Sequence, residues 1–384
     1  MKLIEFEAKQ LLRHAGLPVP RGQLVGPGDP VEARGPVAVK AQLTRGGRGK
    51  EGLVRLTSAA DAPSACEQLL EIMTELGVPP LVLVEEQAEI DQECYLGWRI
   101  DDVRQAPVLM FSAVGGVDIE AQGRLSEYAV DPLRPVHVQD LLPMLMDGGL
   151  SGRSLGAVAR FAAQSYRVFC EHEADLLEIN PLAILPSGNV LALDAKMSLD
   201  ENAAPRHGER RGYLSAGLQT AELSPLERRA AAANVTFVEL PGRVAIFSGG
   251  AGLGMALVDA LADAGPGAAN FVDAAGGSSA DVFQAMGRIV FERARRPDVD
   301  AIIMFFTLSA TSLKSAVSGL LEFLDREPPP KPMVAGLLAA GAAEREMTLA
   351  QAREAFQSRG IRCVTTIDEA VSEVSKILDS MTVA

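Results

Sequence analysis

Between Glu5 and Gly16 the apolar residues Phe6, Leu11 and Leu12 recur at helical spacing, and Gly16 with Pro18 stops the pattern, so the chain is predicted to open with a helix. The period then shortens. Apolar runs at 37–43, 81–86, 108–112 and 190–195 are bounded by turn residues and separated by helical stretches, which predicts a mixed α+β arrangement for the first half. From about 208 to 242 the sequence turns Arg-rich, Ala-rich and Pro-punctuated, with Glu209-Arg210-Arg211 and Glu227-Arg228-Arg229, and reads as a linker. After it strand and helix patterns alternate. Strands are predicted at 244–248, 301–306, 333–337 and 362–366, and helices at 255–264, 313–324, 349–359 and 368–378. Such alternation predicts a parallel, doubly wound α/β sheet. The fold class is therefore α/β, with an N-terminal domain expected over 1–225 and a C-terminal one over 226–384.

A length of 384 residues allows two or three cores, so small size sets no limit on burial. The net charge of −14 argues against coating nucleic acid or an anionic membrane, since phosphate surfaces are held by clustered Lys and Arg; a local basic site for a small anion is still compatible. Cys66, Cys94, Cys170 and Cys363 show neither CxxC pairing nor zinc spacing and read as thiols of a reducing compartment. No cationic segment precedes an apolar run at the N-terminus, and no stretch of about twenty apolar residues occurs. The expected location is cytoplasmic. His14, His137, His172 and His207 share no motif with a Ser or Cys nucleophile, so a catalytic triad has little support.

Three stretches have the composition of a binding site. In the first, Lys40 closes an apolar strand and Gly46-Gly47-Arg48-Gly49-Lys50 comes after it. A buried ammonium needs a counter-charge, and a glycine turn lets phosphate approach backbone N–H groups, so the pair suits a triphosphate clamp; a plain turn with solvated cations uses the same residues. Neither a P-loop nor a dinucleotide fingerprint is present. In the second, Asn180 of Glu178-Ile179-Asn180-Pro181-Leu182 and Asp194 of Asp194-Ala195-Lys196 lie fourteen residues apart, at the ends of two expected strands. Two oxygen ligands suit Mg²⁺, whose other positions phosphate and water fill, although Asn before Pro is also an ordinary turn pair. In the third, Ser248-Gly249-Gly250-Ala251-Gly252-Leu253-Gly254 joins a strand to a helix and suits an anion or simply close packing. Asp273-Ala274-Ala275-Gly276-Gly277-Ser278-Ser279 repeats that arrangement, with Ser278 or Ser279 as N-cap of a helix through Met286.

Taken in order, Leu3-Ile4-Glu5-Phe6-Glu7-Ala8-Lys9, the Lys40 strand with its glycine loop, Gly115-Gly116-Val117-Asp118-Ile119-Glu120, Glu178 to Leu182, and Asp194 to Ala203 with Arg206-His207 resemble the β subunit of succinyl-CoA synthetase over essentially the whole length. The resemblance implies an ATP-grasp domain followed by a flavodoxin-like domain. It places Lys40, Gly47, Arg48, Gly49, Glu85, Ala88 and Glu93 at the nucleotide, and Asn180 and Asp194 at Mg²⁺. Glu178 matches the glutamate that steadies a visiting phosphohistidine. The phosphohistidine and the CoA site belong to a separate α subunit, which accounts for the lack of a catalytic-looking histidine. The implied reaction turns ATP, a carboxylic acid and CoA into acyl-CoA, ADP and phosphate, in an αβ or α2β2 assembly. Pro20 is similar to the ATP-using rather than the GTP-using members.

The sequence departs from that family in its second half. Gly249 stands where the family has a substrate-contacting Asn, which removes a donor and is expected to leave space. Thr307 to Ser312 replaces a glycine-rich turn, so Gly249, Leu308, Ser309 and Ala310 are the matched substrate positions. Losing a hydrogen bond to a buried carboxylate costs about 1.5–3 kcal/mol. A bulkier or more hydroxylated acid than succinate is the expectation; ATP-citrate lyase, a relative, carries a similarly altered turn. Two other readings compete: a regulatory β-like subunit that binds nucleotide, and a stand-alone carboxylate–amine ligase, for which the second domain has no use.

Overall fold

The computed structural model describes all residues except 46, 117–124, 275–279, 309–311, 340 and 383–384. The run 117–120 of the family motif, the expected N-caps Ser278 and Ser279, and the expected substrate residues Ser309 and Ala310 lie outside the described residues. The chain divides into two compact units, Met1–Glu222 and Leu223–Ala384.

The first unit holds two antiparallel sheets. Its elements in chain order are α1 (Glu5–His14), β1 (Gly22–Val25), β2 (Val37–Ala41), β3 (Val54–Thr57), α2 (Ala62–Glu75), β4 (Val82–Glu86), β5 (Gln92–Asp101), β6 (Ala106–Ser112) and β7 (Ser126–Ala129). They continue with α3 (Val138–Asp147), α4 (Gly152–Glu171), β8 (Ala174–Ile184), β9 (Val190–Ala192), β10 (Ala195–Leu199) and α5 (Leu214–Glu222). The smaller sheet has the order β1-β4-β2-β3 and packs on α2, with Val39, Ala41, Leu69, Met73 and Val84 in its core. The larger sheet has the order β10-β8-β5-β6-β7, with β9 paired to β8, and buries Trp98, Phe111, Leu177, Ile179 and Met197 against the helical layer. The Trp98 indole N–H finds Ser165 Oγ at 3.0 Å, which satisfies the one polar atom of a fully buried ring.

Two irregularities of the larger sheet set the positions of Asn180 and Asp194. On β8, Ile179 faces Leu96 of β5 while Leu182 faces Cys94, so Asn180 and Pro181 together oppose Tyr95 in a bulge. A proline has no N–H for the ladder and is tolerated at such a point. The strand expected over 190–195 is instead split: β9 ends at Ala192, β10 begins at Ala195, and Leu193 and Asp194 lie between them. Their backbone departs from the ladder because Leu193 C=O accepts from the buried ammonium groups of Lys9 and Lys40, while its N–H donates to Pro181 C=O at 3.1 Å.

The stretch expected to be a linker is ordered. It holds α5 and, at the start of the second unit, α6 (Pro225–Ala232) and β11 (Thr236–Glu239). A capping box, in which Ser224 Oγ accepts from Glu227 N and Glu227 accepts from Ser224 N, starts α6, whose Leu226 and Ala230 join a core with Phe237. Arg210 of the charged run is likewise buried, donating to the backbone C=O groups of Asp200 and His172.

The second unit continues with β12 (Val244–Gly249), α7 (Ala251–Asp263), β13 (Asn270–Asp273), α8 (Ala280–Ala294), β14 (Ala301–Leu308), α9 (Leu313–Arg326), β15 (Met333–Ala339), α10 (Leu349–Gln357), β16 (Arg362–Val364) and α11 (Ile367–Thr382). β12-β14-β15-β16 form a parallel sheet. Alternate residues serve two cores: Val244, Ile246, Ile303 and Phe305 face α7 and α11, whereas Ala245, Phe247, Met304 and Phe306 face α8, α9 and α10. This is the doubly wound fold that the strand–helix alternation predicts.

On its other side β12 is met by β13 through a side chain. Buried Asn270 accepts from Ile246 N at 3.1 Å and donates to Ile246 C=O at 2.8 Å, in the manner of a neighbouring strand's peptide group. Replacing it leaves two buried backbone groups unpaired at about 1–3 kcal/mol each. Asn270→Ala should therefore lower the unfolding free energy of this unit by about 2–4 kcal/mol in urea titrations.

Candidate nucleotide and substrate sites

Helix α1 turns an unusual face inward. Glu5, Ala8, Lys9 and Leu12 keep helical spacing and all are buried, so two opposite charges share a face with the apolar residues. A buried carboxylate and ammonium need partners, and β2, β4, the β2–β3 connection and the break between β9 and β10 supply them. Glu5 Oε1 accepts from Lys9 Nζ at 2.6 Å and from Lys40 Nζ at 2.8 Å, and Glu5 Oε2 lies 2.7 Å from Arg48 Nη1. Glu85, the fourth residue of β4, takes Lys9 at 2.6 Å and Lys40 at 3.0 Å. Leu193 C=O accepts from Lys9 at 2.7 Å and from Lys40 at 2.5 Å. Arg48 Nη2 then donates to both Asp194 oxygens, at 2.8 and 2.9 Å, and Nη1 donates to Ala41 C=O at 3.1 Å. Lys9, Lys40 and Arg48 are thus balanced by Glu5, Glu85 and Asp194 in one continuous cluster.

The electrostatics arise from this packing. Burial alone would raise the Glu5 carboxyl, but Lys40, Lys9 and Arg48 hold it well below the usual carboxylate range. Burial also works against Lys40 and Arg48, yet Glu5 with Glu85 and Asp194 raises Lys40, and Glu5 with Asp194 raises Arg48, so both stay charged. For Lys9, burial outweighs the help of Glu5 and the pKa is lowered.

Lys40, Arg48, Glu85 and Asp194, each expected at the nucleotide or metal, are therefore brought together. Glu5 and Lys9 belong to the same cluster but were not expected there. Their signal in the sequence is an i,i+4 pair of opposite charges on the buried face of an amphipathic helix, which reads at first as solvated polar residues. Gly47 and Gly49 flank Arg48 on the β2–β3 connection, and Gly47 has φ +92°, a conformation that favours glycine. Ala88 comes after β4, and Glu93 is exposed on β5; neither belongs to the ionic cluster.

Asn180 approaches the cluster through the strand register. Ala195 of β10 faces Ile179 of β8, so the next pair along sets Asp194 beside Asn180. The Asn180 carboxamide accepts from Gly116 N at 3.0 Å and donates to Gly116 C=O at 3.1 Å, which fixes its orientation. The donor set suits a hard cation: Asp194 already holds a positive group on both oxygens, its side chain is 36% exposed, and the amide oxygen of Asn180 adds a neutral ligand. No group of three or more His, Cys, Asp or Glu arranged for a metal occurs among the described residues, so any metal here takes most of its ligands from elsewhere. Glu178 shares a face of β8 with Asn180 and lies across from Lys196, 3.6 Å away. His207 lies between Glu173 and Glu209, its ring nitrogens 2.7 and 3.0 Å from their carboxylates.

In the second unit, Gly249 and Leu308 end β12 and β14, the strands from which the chain leaves toward opposite faces of the sheet. Such a switch point is where ligands sit in open α/β sheets. The space expected at Gly249 is not there. Phe306 faces it across the strands, and a Cβ at Gly249 would come within 2.5 Å of Phe306 Cδ1. Edge contacts to Phe247 and a tilted contact to Phe283 hold that ring.

Because the folded Glu5 pKa is depressed, its contribution to stability is complete above the unfolded value near 4.5 and is lost as pH falls below it. Removing one partner of a buried ionic set costs about 3–5 kcal/mol. Thermal unfolding should show Glu5→Gln well below wild type at pH 7, with the gap narrowing as pH drops below about 4.5. A gap that is constant down to pH 3 contradicts the assignment.

The chain matches the ATP-grasp domain model over residues 2–184. The β subunit of ADP-forming succinate–CoA ligase from Ignicoccus hospitalis is 33% identical, covering 98% of this chain and 99% of that protein. The counterpart from Chloroflexus aurantiacus is also 33% identical, covering 92% of this chain and 94% of its own. Among solved structures, ATP citrate lyase from Methanothrix soehngenii aligns with a TM-score of 0.69 at 19% identity over 98% of this chain and 99% of that chain, a likeness of fold. With its N-terminal match, its full-length relatives and its α/β architecture in agreement, the chain belongs to the family of ADP-forming succinate–CoA ligase β subunits.

Proposed function

We propose that this chain is the nucleotide-binding β subunit of an ADP-forming acid–CoA ligase, acting with an α subunit that carries the CoA site and the phosphorylated histidine. The observation that carries the reading is the convergence of Lys40, Arg48 and Asp194 from separate elements on one buried cluster beside Asn180. Lys40 and Arg48 neutralise the triphosphate, with the backbone of Gly47 and Gly49 close to its oxygens. Phosphoryl transfer asks a protein mainly for positioning and charge stabilisation, and fixed cations provide both. Asn180 and Asp194 hold Mg²⁺, which supplies further neutralisation of the phosphate charge. Ala88 and Glu93 lie along the nucleotide, and Glu178 steadies the partner's histidine when it receives the phosphoryl group. That group then passes to the acid, and the CoA thiol displaces phosphate from the acyl phosphate.

The acid is not succinate in this reading. Gly249 offers no side-chain donor, and the Phe306 ring covers it. The remaining hydroxyls at the strand ends include exposed Thr307 and Ser312, which caps α9. A larger or more hydroxylated di- or tricarboxylate fits a rim whose donors lie farther out, beside Leu308; Ser309 and Ala310 are kept as matched substrate positions on the sequence alone.

The test is ADP release by the purified pair of subunits with CoA and a panel of succinate, hydroxy acids and citrate. Turnover should depend on acid and CoA and favour an acid other than succinate. Lys40→Met should lower kcat/KM at least ~100-fold, the typical effect of removing one group that stabilises transition-state charge. ADP release indifferent to every acid, with α still phosphorylated, contradicts the substrate reading and favours a regulatory subunit.

A further inference from the structure

We infer that Arg48 and a divalent cation are alternative partners of Asp194, so that the cation gains Asp194 only when a triphosphate draws the guanidinium away. The inference rests on the reading of Asp194 as a metal ligand and extends it to the order in which charges enter.

Arg48 Nη2 reaches both oxygens of Asp194, at 2.8 and 2.9 Å. A guanidinium so placed uses the carboxylate positions that a cation also needs, and the two cannot share them. The other carboxylates are committed elsewhere. Glu5 is held by Lys9 and Lys40 as well as by Arg48, and Glu85 by both lysines. Asp194 is the accessible one, with 36% of its side chain exposed against 1% for Glu5 and 2% for Glu85.

The glycines on either side of Arg48 have open space beside them. A Cβ at Gly49 would meet nothing within 4 Å, and at Gly47 the nearest atom is Glu51 Oε1 at 3.8 Å. The guanidinium is buried, while the backbone on either side of it is held only by the bonds of a short turn, Lys50 N–H to Gly47 C=O at 3.1 Å and Leu53 N–H to Arg48 C=O at 2.9 Å among them.

Charge balance gives the exchange its direction. With three cations facing three carboxylates, the cluster is neutral and offers a free divalent ion no net negative charge. It offers a bare triphosphate no net positive charge either. When both arrive together, the metal replaces the guanidinium on Asp194 and the released guanidinium finds a new acceptor in a phosphate oxygen. Metal and nucleotide therefore strengthen each other's binding, and by linkage the effect is the same from either side.

Binding of Mn²⁺ to the nucleotide-free full chain, monitored by electron paramagnetic resonance, tests this directly. Arg48→Gln should bind Mn²⁺ at least tenfold more tightly than wild type, and Arg48→Lys, which keeps the charge without the two-pronged contact, should fall between them. Adding Asp194→Asn to Arg48→Gln should abolish the gain, and a cooperative melting transition confirms that each variant is folded. The Mn²⁺ complex of a non-hydrolysable ATP analogue serves as control. Equal Mn²⁺ affinity in wild type and both Arg48 variants, with analogue binding still weakened by Asp194→Asn, overturns the exchange and leaves the metal site standing. Analogue binding that is indifferent to Asp194→Asn overturns the metal site itself.

Discussion

Three cations and two carboxylates buried in one place, with a third carboxylate half-exposed beside them, are stable only as a set. Moving a lone ammonium or carboxylate out of water costs several kcal/mol even after relaxation, and the opposing charges repay it only where the contacts are short and complete. Here they are short, between 2.6 and 3.0 Å, and they draw on α1, β2, β4, the β2–β3 connection and the Leu193–Asp194 break. Much of the first unit's architecture can be understood as the scaffold for that set. The break between β9 and β10 exists because Leu193 C=O turns to the two ammonium groups, and α1 lies with charged residues inward for the same reason.

Stability by itself does not explain such an arrangement, since well-packed apolar residues of similar volume often serve a fold as well or better. A neutral, pre-positioned cluster does suit a protein that receives a highly charged ligand and must let it leave. Lys40 stays charged in a dry environment because Glu5 and Glu85 keep it so, and its position is fixed before any phosphate arrives. Preorganised charge of this kind needs little rearrangement when phosphoryl transfer begins.

The doubly wound half was the more legible in the sequence, because the strand–helix alternation and the glycine turn after β12 are local signals. The stretch at 208–242 reads as a linker because its Arg and Ala content resembles solvated sequence, whereas the capping box at Ser224 and the burial of Arg210 depend on contacts that composition does not show. In the first half Lys40, the glycine loop with Arg48, and Asp194 stand out as chemistry in an odd setting, whereas Glu85 is placed by the resemblance alone. Glu5 and Lys9 do not stand out, because an isolated helix hides which of its faces turns inward. At Gly249 the chain suggested a gap, whereas the Phe306 ring opposite fills it; a missing side chain says nothing about which neighbour moves in.

Crystals soaked with a non-hydrolysable ATP analogue and Mn²⁺ test the central claim most directly, because manganese reports its own position by anomalous scattering. The expected result is a manganese peak touching the side-chain oxygens of Asn180 and Asp194, with phosphate oxygens at hydrogen-bond distance from Lys40 Nζ. An analogue bound with its phosphates away from Lys40, or manganese seated on other residues, contradicts it.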